Sequence, residues 1–226
     1  MSKTIEGFLG LGANLQKSRT PAKQDFLQSA SGALLAVFML CHMIFTGTII
    51  FGKEAFEAVV RVAEPGGISL ITNIVAAFIF VVFVVHAFLA MRKFPANFAA
   101  FKAYRAHKIR LKHCETSMWW VQFLSGFALF FVASCHLLTI VFTEPVSATL
   151  SASRFATLHI FYIVLLVAVV VHASVGCYRL VLKWVSLGEV QKERSQKRKR
   201  VKFVIFGVWA VLFVLSVVAD VVWLSL

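Results

Sequence analysis

Residues 116–143 read TSMWWVQFLSGFALFFVASCHLLTIVFT, a run without one Asp, Glu, Lys or Arg and with a single histidine, His136, in its second half. As an α-helix rising 1.5 Å per residue it would measure about 42 Å, more than the roughly 30 Å hydrocarbon core of a bilayer. Four further stretches carry no charge: 26–52, 65–91, 155–178 and 203–219. The last reaches spanning length by continuing past Asp220 to Leu226, which puts Asp220 near an interface, where a carboxylate costs least. The expected fold is therefore an all-α integral membrane bundle of five helices, at about 27–52, 67–91, 116–143, 156–180 and 202–225. No linker divides the chain, and residues 1–226 read as one transmembrane domain.

Composition agrees with that reading. Of 226 residues, 60% are apolar and only 15% charged, with a mean hydropathy of +0.84. Soluble domains carry about 25% charged residues, so a disordered chain, a disulfide scaffold and an ordinary cytosolic enzyme are excluded. Cys41, Cys114, Cys135 and Cys177 form no C-x-x-C or C-x-x-C-H motif, so covalent haem attachment is not signalled. Lys17, Arg19 and Lys23 precede no short apolar region with a cleavage site, so no signal peptide is read.

The net charge of +13 is a matter of topology rather than of nucleic-acid binding, because it is concentrated in alternate loops. Residues 1–25 sum to +2, 92–115 to +6 and 179–202 to +7, whereas 53–64 sum to −1 and 144–154 to zero. Basic loops stay in the cytoplasm, so the N-terminus is expected inside and the C-terminus outside. Lys197-Arg198-Lys199-Arg200 reads as a topology anchor, and no internal repeat is read.

Four of seven histidines lie deep within spans, away from their ends: His42, His86, His136 and His172, one on each of the first four. A polar ring in hydrocarbon is costly without a partner and faces the bundle interior. His86 lies about 9 Å and His172 about 10 Å from the cytoplasmic ends of their helices, by the helical rise. His136 lies about 12 Å and His42 about 16 Å from the outer ends. Two pairs at two depths match two stacked haems, each iron held by two imidazoles from facing helices. Such iron has no open position and suits electron transfer. Gly176, one turn after His172, would admit a flat ring or serve helix packing. A zinc site requires convergence at one depth. A histidine proton relay, as in a transporter without haem, would ordinarily recruit carboxylates, and the first four spans contain none.

The run His172-Ala-Ser-Val-Gly-Cys-Tyr-Arg179-Leu-Val-Leu-Lys183-Trp184, together with the four histidines, resembles the dihaem cytochrome b anchor of fumarate reductase, in the succinate:quinone oxidoreductase family. The resemblance covers nearly the whole chain. It implies two haem b groups, the inner between His86 and His172 and the outer between His42 and His136. It implies a bacterial inner-membrane subunit that carries electrons between menaquinol and an iron–sulfur subunit. A flavoprotein subunit on the cytoplasmic side would hold the dicarboxylate chemistry, and the whole complex would form a dimer of the heterotrimer.

Glu64 matches the family's acidic residue beside the outer quinol site and would accept a proton there; otherwise Glu54, Glu57 and Glu64 are solvated loop acids. Gln28, Ser29, Trp119 and Lys183 fall on the family's propionate-binding positions, with Arg154 a further donor for the outer haem. Trp119 and Lys183 equally suit interfacial anchoring. His107 and His113 match polar positions facing the iron–sulfur subunit, and His159 would border the outer haem. Some members carry a Glu two residues before the fourth ligand; here Val170 offers no titratable group for a compensating proton path. The alternative reading is the haem b anchor of a hydrogenase or formate dehydrogenase.

Overall fold

The computed structural model describes residues 20–65, 69–111, 114–142, 146–187 and 190–226. His113, Lys17 and Arg19 lie outside them. Five helices are long and apolar enough to cross a membrane: α1 (Thr20–Gly47), α3 (Leu70–Met91), α5 (Cys114–Val141), α7 (His159–Trp184) and α8 (Gln191–Ser225). No strand occurs among the described residues. The all-α expectation holds. Helix is the only open-ended element that satisfies its own backbone in hydrocarbon.

The outward faces are apolar. Phe127, Val81 and Val211 are 55%, 59% and 60% exposed. Water would expel such a belt, whereas lipid tails solvate it. The bundle is therefore held by close packing between helices. The most extensive contacts join α5 to α7, α7 to α8 and α1 to α3.

Charge marks where the membrane ends but not where a helix ends. Among the described residues α1 already runs from Thr20, and α8 starts at Gln191, earlier than the expected 27 and 202. Lys, Arg, Glu and Gln are good helix formers, and water satisfies the extra turns. Ion pairs also fasten these extensions: Asp25 of α1 pairs with Arg92 and with Lys93 (3.3 Å), and Arg198 of α8 pairs with Glu115 of α5 at 3.1 Å.

The connections fold as well. A 3-10 turn (Thr48–Phe51), α2 (Lys53–Ala63) and α6 (Ala148–Thr157) gather at one end, called here the neutral end. Gly52, at φ +104°, makes the turn into α2, in a region other residues avoid. Ile49, Phe56, Ala148 and Trp223 form a core there, with Ile49 and Ala148 fully buried. The opposite, basic end carries α4 (Phe98–Leu111), whose Tyr104 stacks on Trp120 and meets Trp119 at a tilt, while Phe101 packs at a tilt on Trp120.

Candidate functional site

The four histidines meet as two pairs. His86 of α3 faces His172 of α7 with ring centroids 6.5 Å apart, and His42 of α1 faces His136 of α5 at 6.1 Å. Two imidazoles bound to opposite sides of one iron, each through a bond of about 2 Å, hold their centroids roughly 6 Å apart. Both pairs therefore have the spacing of a bis-imidazole iron site, in the pairing that helical rise predicts. All four rings line one cavity of about 1300 Å³, beyond the roughly 300–1,000 Å³ of a single ligand pocket.

Helices α1 and α5 hold the rings of α3 and α7. The Nδ1–H of His86 donates to the Gln28 carbonyl (3.2 Å), with Ser31 Oγ at 3.1 Å. The Nδ1–H of His172 donates to the Gln122 carbonyl (2.9 Å), with Ser125 Oγ at 3.4 Å. A carbonyl only accepts, so the proton is fixed on Nδ1 and Nε2 keeps its lone pair for a metal. Glycine makes room for both rings. A Cβ at Gly32 would lie 2.9 Å from His86 Cε1, and one at Gly126 2.7 Å from His172 Cε1. At Gly176 a Cβ would lie 3.0 Å from the Gln122 side-chain nitrogen, so the glycine leaves space for that amide.

These contacts expose a repeat, which corrects the reading of a chain without one. Gln28-x-x-Ser31-Gly32-x8-Cys41-His42 on α1 recurs as Gln122-x-x-Ser125-Gly126-x8-Cys135-His136 on α5. Each copy holds one inner histidine by backbone and glycine. It then presents its own histidine ten residues on, about 15 Å along the helix.

The other expected residues line the same cavity: Gln28, Ser29, Trp119 and Lys183 toward the basic end, Arg154 and Glu64 toward the neutral end. Lys183 Nζ donates to Ser29 Oγ (2.9 Å) and to the Asp25 carbonyl (3.1 Å). The side-chain oxygen of Gln28 is buried and unbonded. Tyr104 borders this end of the cavity; burial raises its hydroxyl pKa, opposed by the Arg179 charge. His107 and His159 are exposed and stand away from the cavity. Asp220 is half-buried on the cavity wall, because its face of α8 turns inward with Ser216, Ala219 and Trp223.

Glu64 is not a solvated loop acid. It caps the C-terminus of α2, is 3% exposed, and accepts the Val146 N–H through Oε2 at 3.2 Å. Its Oε1 is buried without a hydrogen-bond partner. Glu57, two turns earlier, accepts the Ala148 N–H at 2.6 Å and caps α6 with Ser147. Together the two carboxylates staple α2 to the segment entering α6.

The model of the succinate dehydrogenase/fumarate reductase transmembrane subunit family matches residues 95–216. The chain belongs to that family. It is 42% identical over 215 residues to the fumarate reductase cytochrome b subunits of two Helicobacter pylori strains, covering 90% of this chain and 84% of theirs. It is 41% identical over 189 residues to that of Wolinella succinogenes, covering 80% of this chain and 73% of that one. The apolar outward faces and five spanning helices accord with a transmembrane subunit. Family membership sets aside the hydrogenase or formate dehydrogenase anchor and the transporter. The relatives' designation as cytochromes b accords with four histidines paired at iron-bridging distance.

Proposed function

We propose that this subunit joins a membrane quinol to the cytoplasmic flavoprotein and iron–sulfur subunits of a fumarate reductase in the bacterial inner membrane. The observation that carries the proposal is the pair of histidine couples at 6.1 and 6.5 Å, at two levels of one cavity. His86 and His172 would hold the inner haem b, His42 and His136 the outer. When bound, the haems supply one-electron carriers between the two membrane faces.

The protein's own groups do the rest. The carbonyls of Gln28 and Gln122 fix the inner imidazole tautomers. Gln28, Ser29, Trp119 and Lys183 offer donors for propionates at the basic end, and Arg154 one at the neutral end. Glu64, with one oxygen bonded and the other bare, accepts a proton from menaquinol; a positioned carboxylate suits such general-base work. The cavity wall around these groups is predominantly apolar. The basic end lies in the cytoplasm, by the loop charges, and presents α4 with His107 to the iron–sulfur subunit.

The test is histidine replacement in the purified complex with reduced-minus-oxidised spectra. His86→Ala and His172→Ala should abolish the same low-spin signal, and His42→Ala and His136→Ala the other. Loss of the same signal from His42→Ala and His86→Ala would refute the pairing.

A further inference from the structure

A haem brings two propionate carboxylates, yet the donor set at the basic end described so far contains one cation, Lys183. Two anions at the edge of a low-dielectric cavity need more compensation than that. The α7 helix supplies a second cation. Arg179 follows His172 by seven residues and Lys183 follows it by eleven, so both lie two to three turns below the ligand and on its face. Both line the cavity. They diverge: Lys183 reaches α1 at Ser29 Oγ (2.9 Å), whereas Arg179 reaches α5, donating to Gln122 Oε1 at 3.1 Å.

The repeat gives this second corner its meaning. Gln122 occupies on α5 the place that Gln28 occupies on α1, and each holds an inner histidine through its carbonyl. The cation seven residues after His86 is Lys93, which also lines the cavity but lies 3.3 Å from Asp25, a carboxylate it shares with Arg92. Among the described residues Arg92 and Arg198 are also ion-paired, with Asp25 and Glu115, while Arg179 and Lys183 pair with no carboxylate. From one helix, therefore, Arg179 reaches the α5 wall and Lys183 the α1 wall of the cavity that the inner histidine pair lines. Gly176 keeps open the space in which the Gln122 amide reaches Arg179.

We propose that Gln122 and Arg179 form a second propionate corner, across the cavity from Gln28, Ser29 and Lys183, so that each propionate of the inner haem meets one cation and one glutamine. This rests on the haem reading above. A cation beside a propionate favours the reduced haem, so its removal lowers the midpoint potential. The test is potentiometric titration of the purified full complex. Arg179→Gln should lower the midpoint of the haem whose signal His172 replacement abolishes, by about tenfold in the equilibrium constant, or 59 mV for one electron. The other haem should hold its potential, and Arg179→Lys should restore the first.

Both midpoints staying within a twofold change in Arg179→Gln would overturn the proposal. Should Arg179→Gln lose the inner haem altogether, its recovery in Arg179→Lys supports the corner. Loss in both variants with helix content intact overturns it. Absence of b-type haem from the unreplaced complex would instead sink the underlying reading, before any variant is compared.

Discussion

Replacing Gly126 by alanine adds one methyl group and tests how the inner ligand is held. The new Cβ would sit 2.7 Å from His172 Cε1 and 3.1 Å from its Nδ1. Ordinary carbon contacts lie at about 3.5–4.0 Å, so the ring must retreat by roughly 1 Å. It is not free to do so, because its Nδ1–H is tied at 2.9 Å to Gln122 on the same helix as the intruding methyl. A retreat of that size breaks the bond, and losing such an outer-shell partner costs about 10–100-fold in metal affinity. The helix itself prefers alanine by about 1 kcal/mol. Gly126→Ala should therefore keep its helix content and assembly while one of two haems is lost or bound weakly. Haem b per chain, read beside far-ultraviolet circular dichroism, separates these effects. Gly207→Ala on α8, where an added Cβ meets nothing within 4 Å, is the control and should keep both haems. Full haem content with unchanged spectra in Gly126→Ala would refute the account of how His172 is positioned.

Gly32→Ala should act in the same way through His86, with a milder effect because its contact is 2.9 Å; a haem loss exceeding that of Gly126→Ala would contradict this ranking. Glu64→Gln keeps an acceptor for the Val146 N–H but not a base. Menaquinol oxidation should fall by at least about 100-fold, with both haem spectra intact; normal turnover would remove Glu64 from the chemistry. Glu57→Ala leaves the Ala148 N–H without its carboxylate and should destabilise the neutral end by about 1 kcal/mol, seen as faster proteolysis at the α2 and α6 segments. With Val170 in place of a proton-carrying residue, turnover in sealed vesicles should respond to membrane potential, at about 2.3 kcal/mol per charge per 100 mV. Rates independent of voltage would contradict that.

The five spans were legible because hydrocarbon tolerates almost no charge, so charge-free runs of spanning length stand out. The histidine pairing was legible because helical rise converts sequence position into depth. What escaped depends on contacts between segments far apart in the chain. Gly32 and Gly126 look like ordinary packing glycines until the facing rings are placed. The repeat is obscured because its α1 and α5 copies lie 94 residues apart, whereas His86 and His172 are separated by 86. Unequal connections thus break any single period. Glu64 resembles its neighbours Glu54 and Glu57 in sequence, and only the closure of α6 over α2 buries it. Asp220 illustrates the same limit: its distance from the chain end places it near the interface, but the face of α8 it occupies turns it inward.

The measurement that bears most directly on the central claim is haem b quantified per chain in the purified complex, with the spin state of the oxidised iron read by electron paramagnetic resonance. Two haems per chain, both low-spin and bis-imidazole, are predicted. A single haem, or iron with an open or non-histidine position, would contradict the two histidine couples as ligand sites.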